Sequence, residues 1–225
     1  MKIFIPKEDS NELRTAISPE VVKKLSGSGH EIFIETNAGS GSNFDDEILI
    51  EAGAKIYNDN NQLKTADFIF RVNAPSENEI AIYKEDSILI ASLNPYNNIE
   101  IIKKLEAQKT ISFAMELMPR ITRAQSMDVL SSQSNLAGYQ AVIEASNIFN
   151  KAMPMMMTAA GTIAPAKVMV FGAGVAGLQA IATAKRLGAI VSATDVRMAA
   201  KEQVESLGGK FVMVEMEDDE DSETS

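Results

Sequence analysis

Three glycines and one aspartate carry the spacing in this chain that points most directly to chemistry. Gly172, Gly174 and Gly177 form G-x-G-x-x-G, and Asp195 follows Gly174 by 21 residues. In such a turn the first glycine permits the tight bend, the second lets a pyrophosphate approach, and the third allows close helix packing. The start of the following helix then offers N–H groups and a positive dipole end to phosphates. The pattern predicts dinucleotide binding; the alternative is a glycine-rich turn without a ligand.

The acid at the end of this pattern favours NAD(H) over NADP(H). The carboxylate of Asp195 can accept hydrogen bonds from both hydroxyls of the adenosine ribose, whereas a 2′-phosphate would meet a like charge. Arg197 weakens that preference slightly because it places a positive charge nearby.

The elements that must position these residues follow in the order that the fingerprint requires. An apolar run at 168–171 predicts a strand, a helix follows and ends at Gly188, and a second strand covers 189–193. The uncharged run 168–184 approaches membrane-spanning length. Its glycines and Gln179 favour a buried strand, turn and helix instead.

The first half of the chain alternates between strand and helix patterns, which predicts a parallel sheet with helices on both faces. This would be a first α/β domain without a glycine fingerprint of its own. Ser18 and Pro19 mark one helix start, as N-cap and first helical residue. The predicted strands are 2–5, 31–35, 68–72, 87–91 and 110–113, and the predicted helices are 19–25, 45–52, 62–65, 77–83 and 99–107.

A polar, hydroxyl-rich segment, 120–135, separates the two halves and leads into a predicted long helix at 135–149. Four methionines then fall within 153–157. Flexible methionine side chains commonly fill irregular gaps, so we interpret this segment as core filler beside a hinge, with a specific partner contact as the alternative.

Composition narrows the possible functions. The net charge of −10 argues against nucleic-acid binding, and an acidic tail at 215–225 supplies much of it. The absence of cysteine excludes disulfides, thiol nucleophiles and Fe–S clusters. The single histidine, His30, is predicted to be a turn residue, and we expect no metal site. The N-terminus lacks the long apolar core of a signal peptide.

The predicted organisation is α/β, with two Rossmann-like parallel-sheet subdomains and a nucleotide cleft between them, the second subdomain incomplete. The boundaries are 1–137 for the N-terminal α/β subdomain, 138–214 for the first half of an NAD(H)-binding Rossmann subdomain, and 215–225 for the acidic tail. A complete dinucleotide fold has a second βαβαβ half. The chain is therefore expected to be a fragment, truncated at its C-terminal side, or to depend on another chain.

Residues 120–145, 154–197 and 201–211, together with the N-terminal IPKE and ELRTAISPE, resemble one family over essentially the whole chain. They closely resemble the NAD(H)-binding domain I of the α subunit of proton-translocating NAD(P) transhydrogenases, a family related to alanine dehydrogenase. The resemblance implies a component of an enzyme that passes hydride between NAD(H) and NADP(H), coupled to proton translocation. It implies a partner NADP(H)-binding domain, a membrane domain and a homodimer. It also implies a place on the cytoplasmic side of the inner membrane, peripheral through the holoenzyme and without direct insertion.

The resemblance also assigns roles within the segment 120–131. Arg120 and Ser131 would hold the nicotinamide carboxamide, Gln125 would reach toward the NADP(H) of the partner domain, and Asp128 would fix the nicotinamide ribose side. These four are the expected catalytic residues. The full cofactor-binding set adds Ser126, Met127, Gly172, Gly174, Val175, Ala176, Gly177, Asp195, Val196 and Arg197. On the residues alone, a solvated turn with local side-chain caps is the alternative for this segment.

Two other functions stay open. In alanine dehydrogenases a lysine and a histidine lie where RVNAP and SLNPY here carry Asn73 and Asn94. Asparagine cannot accept a proton at neutral pH, whereas hydride transfer between two nicotinamides requires positioning rather than a base. Arg14 remains where those dehydrogenases keep a substrate-carboxylate arginine, so an NAD-dependent dehydrogenase of that type is one alternative. A non-catalytic NAD-binding module is the other.

Overall fold

The computed structural model describes residues 1–213. It divides into two compact units, the first Met1–Asp128 and the second beginning at Val129. The predicted boundary between residues 137 and 138 lies within a helix of the second unit that begins at this division. Val214 and the predicted acidic tail at 215–225 lie outside the described residues.

The first unit is built on one parallel sheet of six strands. Its strands are β1 (Lys2–Ile5), β2 (Glu31–Glu35), β3 (Lys55–Tyr57), β4 (Phe68–Asn73), β5 (Ile88–Ser92) and β6 (Ile111–Ala114). Its helices are α1 (Pro19–Gly27), α2 (Asp46–Glu51), α3 (Glu77–Ile80) and α4 (Ile99–Ala107). The strand order is β3-β2-β1-β4-β5-β6, and every pair is parallel. This confirms the predicted α/β class.

Both faces of this sheet are covered, as expected for a parallel sheet. Phe4 belongs to a core cluster on one side, with Leu63 and Leu89. Ile3 and Ile5 belong to a second cluster on the other side. Because neighbouring residues of β1 point to opposite faces, one strand contributes to both cores.

Local signals explain the elements that the sequence predicted well. The hydroxyl of Ser18 accepts a hydrogen bond from the N–H of Val21 at 3.4 Å, and Pro19 begins α1. Three details differ from the prediction. Strand β3 was not predicted, residues Asn60–Thr65 form a 3-10 helix, and α3 ends at Ile80 rather than at residue 83. These are short elements whose patterns span too few residues to register as periodicity.

The second unit carries a smaller parallel sheet and a separate hairpin. Its helices are α5 (Val129–Ile148), α6 (Val175–Arg186) and α7 (Ala200–Ser206). Its strands are β7 (Met156–Thr158), β8 (Gly161–Ile163), β9 (Lys167–Phe171), β10 (Ile190–Thr194) and β11 (Lys210–Phe211). Within the described residues the parallel order is β11-β10-β9, while β7 and β8 pair antiparallel. The predicted strand, turn, helix and second strand are all present.

Two predictions for this unit were wrong. Helix α5 begins at Val129, not at residue 135. The hydroxyl-rich segment is compatible with a helix because its side chains find local acceptors, as when Ser132 donates to the carbonyl of Val129 at 3.0 Å. The methionines at 155–157 are not core filler, since they lie exposed at the start of the hairpin, whereas Met153 is buried.

Candidate nucleotide-binding site

The glycine turn between β9 and α6 is held by two contacts that only glycine permits. Gly172 has a φ of +91°, in the left-handed region, and its N–H donates to the carbonyl of Thr194 at 2.8 Å. A Cβ on Gly177 would lie 1.8 Å from the carbonyl oxygen of Gly172. The third glycine of the motif therefore serves the turn itself, because α6 begins directly against the backbone of Gly172.

Gly174 is different, because it faces open space. A Cβ built on it meets nothing within 4 Å. It is the N-cap of α6, and no side chain caps that end of the helix. The first N–H groups of a helix have no acceptor within the helix. At Val175 and Ala176 they therefore border open space, which is the arrangement that a phosphate requires.

Asp195, directly after β10, is bonded to this turn. Its Oδ2 accepts a hydrogen bond from the N–H of Ala173 at 2.7 Å. The backbone N–H and Nε of Arg197 donate to Oδ1 at 2.8 and 3.0 Å, and Nη2 donates to Oδ2 at 3.1 Å. The side-chain hydrogen bonds of Arg197, followed by its backbone N–H and that of Ala173, hold the pKa of Asp195 well below its usual range. Asp195 is thus a carboxylate, as recognition of ribose hydroxyls requires.

Arg197 also occupies the carboxylate that the sequence assigns to the ribose. Four donors meet the two oxygens of Asp195, and a carboxylate offers about four acceptor positions. Ribose hydroxyls would have to replace the side-chain hydrogen bonds of Arg197. Sequence reasoning placed Arg197 near the site but missed this competition. Val196, between the two, is almost fully exposed.

The segment that the resemblance assigns to the nicotinamide side lies at the end of the first unit. Residues Thr122–Met127 form a 3-10 helix that contains Gln125, Ser126 and Met127, anchored by the buried Ala124. Arg120 precedes it and Asp128 follows it. Ser131 lies in the first turn of α5 and so belongs to the second unit, with the glycine turn.

The positions that carry proton acceptors in the related dehydrogenases are occupied here by amides with internal partners. The side-chain amide of Asn73 donates to Glu12 at 3.0 Å, and Glu12 also pairs with Arg14 at 2.6 Å. The hydrogen bond from the Arg14 side chain lowers the pKa of Glu12 to about 2. The backbone N–H of Asn94 donates to Glu116. Glu12 and Glu116 were not predicted as partners from the sequence.

A buried ionic cluster fixes the backbone that leads into Asn73. Arg71 pairs with Glu8 at 3.1 Å and with Glu79, and the hydroxyl of Tyr83 donates to Glu79 at 2.6 Å. Burial opposes the charge on Arg71, but the two carboxylates outweigh it and raise its pKa. Glu8 also accepts hydrogen bonds from the N–H of Val72 at 2.6 Å. The sequence signal for this cluster was an arginine within the apolar strand FIFRVN.

The architecture defines a Rossmann-like α/β protein with a glycine fingerprint in its second unit. Two family models match, "Alanine dehydrogenase/PNT, N-terminal domain" over residues 4–137 and "Alanine dehydrogenase/PNT, C-terminal domain" over 141–225. The chain belongs to the alanine dehydrogenase/PNT family.

Individual relatives agree with this membership. The chain is 56% identical over 232 residues to the first of the polypeptides named as NAD(P) transhydrogenase subunit alpha in Rhodospirillum rubrum, covering 100% of this chain and 60% of that protein. It is 57% identical to a transhydrogenase crystal structure from Sinorhizobium meliloti, with a TM-score of 0.92, covering 95% of this chain and 64% of the other. An alanine dehydrogenase of Staphylococcus epidermidis is 36% identical, covering 92% of this chain and 56% of that protein.

The chain thus spans 60% of the length of its Rhodospirillum relative and resembles transhydrogenases more closely than this alanine dehydrogenase. Among residues 1–213, no helix combines the length and apolar character needed to cross a membrane.

Proposed function

We propose that this chain is the NAD(H)-binding part of a proton-translocating NAD(P) transhydrogenase. The observation that carries the proposal is the bond between Asp195 and the N–H of Ala173, beside the open space at Gly174. That arrangement places a ribose-binding carboxylate and a phosphate-binding helix start on the same turn. The 56% identity to a transhydrogenase alpha-subunit polypeptide supports the particular reaction.

The residues of this chain would bind and orient the nucleotide rather than exchange protons with a substrate. NAD(H), when bound, supplies or accepts the hydride. Asp195 accepts hydrogen bonds from the ribose hydroxyls and disfavours a 2′-phosphate by charge. The N–H groups at the start of α6 neutralise the pyrophosphate. Because Asn73 and Asn94 cannot take a proton at neutral pH, these positions suit hydride exchange between two nicotinamides better than oxidation of an alcohol or amine.

The segment 120–131 is proposed to serve the nicotinamide side. Arg120 and Ser131 would hold the carboxamide, Asp128 would fix the ribose side, and Gln125 would face NADP(H) on a partner domain, flanked by Ser126 and Met127. The exposure of Arg120, Gln125 and Met127 supports this role, since side chains that meet a nucleotide and a partner must be accessible.

The assembly is proposed to include an NADP(H)-binding domain and a membrane domain that couples hydride transfer to proton translocation. The chain would be peripheral, on the cytoplasmic side of the inner membrane, held there through the holoenzyme. The name of its Rhodospirillum relative supports such partners, because it describes one portion of a subunit. A homodimer is also proposed, supported by the exposed apolar residues of the hairpin, Met156, Met157 and Ile163. The subdomain limits 1–137 and 138–214 stay predictions.

A titration with NADH and then NADPH, followed by nucleotide fluorescence, tests the binding step. The chain contains no tryptophan, so its own emission interferes little. The proposal expects saturable NADH binding and much weaker NADPH binding, with NADH binding reduced by Asp195→Asn. Equal affinity for both nucleotides, or no effect of that variant, would contradict an NAD(H) site at the glycine turn.

Hydride exchange tests the reaction itself. The chain is mixed with the NADP(H)-loaded domain of the Rhodospirillum transhydrogenase, and transfer to an NAD analogue with a shifted absorption band is followed. We expect transfer that falls in Gln125→Ala while NADH affinity is retained. Binding of NADH without any transfer would favour the non-catalytic NAD-binding module.

An alanine-dehydrogenase-like activity is the second candidate, because a relative of that name is 36% identical. Arg14, the expected carboxylate-binding residue, is paired with Glu12, and Asn73 donates to the same carboxylate. Reduction of NAD by alanine, assayed at high enzyme concentration, decides between the two. Turnover of alanine would replace the transhydrogenase proposal.

A further inference from the structure

The two units share a strand order up to one strand, and there they diverge. In the first unit the sheet runs β3-β2-β1 and continues with β4 on the other side of β1. In the second unit the described order is β11-β10-β9, so β9 occupies the place of β1. In residues 1–213 no strand pairs with the outer side of β9. The first strand of the glycine fingerprint is therefore an edge strand.

The backbone of β9 presents a regular row of groups at this edge. Gly172 donates to Thr194, and Ala166 accepts from Ile190, so the even-numbered residues make the ladder with β10. Alternation along a strand then directs the N–H and C=O of Lys167, Met169 and Phe171 away from β10. An edge of this kind is a template for another strand.

One face of the same sheet is also uncovered. Val168 and Val170 pack toward the core that α6 covers, but Met169 is 40% and Phe171 is 81% exposed. Ile190, which pairs with Lys167 on that outer face, is 52% exposed. In β1, by contrast, Phe4 and Ile5 are almost completely buried because both faces and both edges have partners. A parallel sheet with an open apolar face is unusual.

We propose that the outer edge of β9 and this face form a docking surface for a polypeptide that adds a parallel strand beside β9 and covers Met169 and Phe171. The occupant is the portion of the transhydrogenase alpha subunit that this chain does not match. The matched portion makes up 60% of the Rhodospirillum relative, so enough polypeptide remains there for several strands and helices. In dinucleotide-binding folds the first strand lies between the second and the fourth, which is the pattern of β1 in this same molecule.

A second copy of the chain is a poorer match. Two β9 edges related by a two-fold axis would pair antiparallel. The strand that meets β1 at the corresponding edge of the first unit is parallel. Self-pairing is therefore an outcome that the experiment must detect, and it would contradict the proposal.

The test coexpresses the full 225-residue chain with the unmatched portion of the Rhodospirillum subunit as a separate polypeptide. Copurification and residue-resolved amide hydrogen exchange are measured. Exchange at Met169 and Phe171 should slow by more than about tenfold, because amides in a strand ladder exchange only through opening of the structure. Absence of copurification, or unchanged exchange at both amides, would overturn the proposal. So would slowing of these amides in the chain alone with rising concentration.

Proline substitution separates the edge backbone from the side chain. Met169→Pro removes an outward N–H that β10 does not use, and edge strands tolerate proline at such positions. It should abolish copurification, whereas Met169→Ala should preserve it. The matched control is Ser112→Pro on edge strand β6, where the neighbouring Ile111 makes the bond to β5. This control should leave copurification unchanged. Phe171→Lys, at an exposed side chain, should also weaken docking if Met169→Pro does not fold; equal docking by both docking-surface variants would contradict the proposed surface.

Discussion

The Oδ2 atom of Asp195 lies 2.7 Å from the backbone nitrogen of Ala173, which joins the end of β10 to the turn that begins α6. These residues are 22 positions apart in the chain. The acid of the fingerprint therefore has a structural contact with the glycine turn in addition to its expected contact with a ribose. A variant at this position changes both, and the two effects can be separated by measuring stability together with affinity.

Asp195→Asn should weaken NADH binding and narrow the preference over NADPH. The amide loses the negative charge that accepts ribose hydroxyls, and hydrogen bonds to charged groups contribute about 1.5–3 kcal/mol, so at least about a tenfold loss is expected. The loss of charge also removes repulsion of a 2′-phosphate. Titration with both nucleotides measures the ratio. Asp45→Asn, at an N-cap without a side-chain hydrogen bond, should change neither affinity.

Gly174→Ala and Gly177→Ala should fail in different ways. A Cβ at Gly174 meets no atom within 4 Å, so the variant should fold normally but bind NADH weakly, because the methyl group occupies the space that a pyrophosphate would enter. A Cβ at Gly177 would lie 1.8 Å from the carbonyl of Gly172, and relief of such overlap costs about 1–3 kcal/mol. Thermal unfolding and NADH titration of both variants are compared. Equal affinity of Gly174→Ala and the parent chain would argue against a phosphate at this turn.

The sequence predicted those features whose signals lie within a few residues of one another. Strands β1 and β2 and helix α4 have the predicted bounds, because strong alternation or a helical stripe covers each of them. The predicted left-handed stop at Gly188 is confirmed by its φ of +86°. The hairpin of β7 and β8 was missed because MMT and GTI are too short and too similar to their surroundings to show a period.

The features that escaped prediction depend on distant partners. Glu12 and Asn73 are 61 residues apart, and Glu116 bonds to the backbone of Asn94 across 22 positions. Neither pairing leaves a local pattern, since each requires the sheet to bring two strand ends together. The competition of Arg197 for Asp195 was missed for another reason. Its residues are neighbours in sequence, but the direction of a long side chain is set by the acceptors around it.

Glu8→Ala should destabilise the first unit strongly. Glu8 is almost completely buried, pairs with the equally buried Arg71, and accepts hydrogen bonds from the N–H groups of Val72 and Asn73. Removing one partner of a buried pair leaves an uncompensated charge, which typically costs about 3–5 kcal/mol. Urea unfolding measures the change. Lys103→Ala, which breaks the exposed pair with Glu100, should cost less than about 1 kcal/mol.

Glu12→Gln should lower stability at neutral pH but not near pH 2. The folded-state pKa of Glu12 is about 2, below the value of about 4.3 expected in the unfolded chain. Its ionised form therefore stabilises the fold above about pH 4.5, and this contribution is lost as the pH falls toward 2. Because Arg14 is half-exposed, the full effect should stay below about 1 kcal/mol and shrink with added salt. Urea unfolding of both proteins from pH 2 to 6 can be followed by tyrosine emission, since Tyr57, Tyr83 and Tyr96 lie in the first unit. A stability difference that does not change with pH would show that the pairing of Glu12 with Arg14 is not what depresses its pKa.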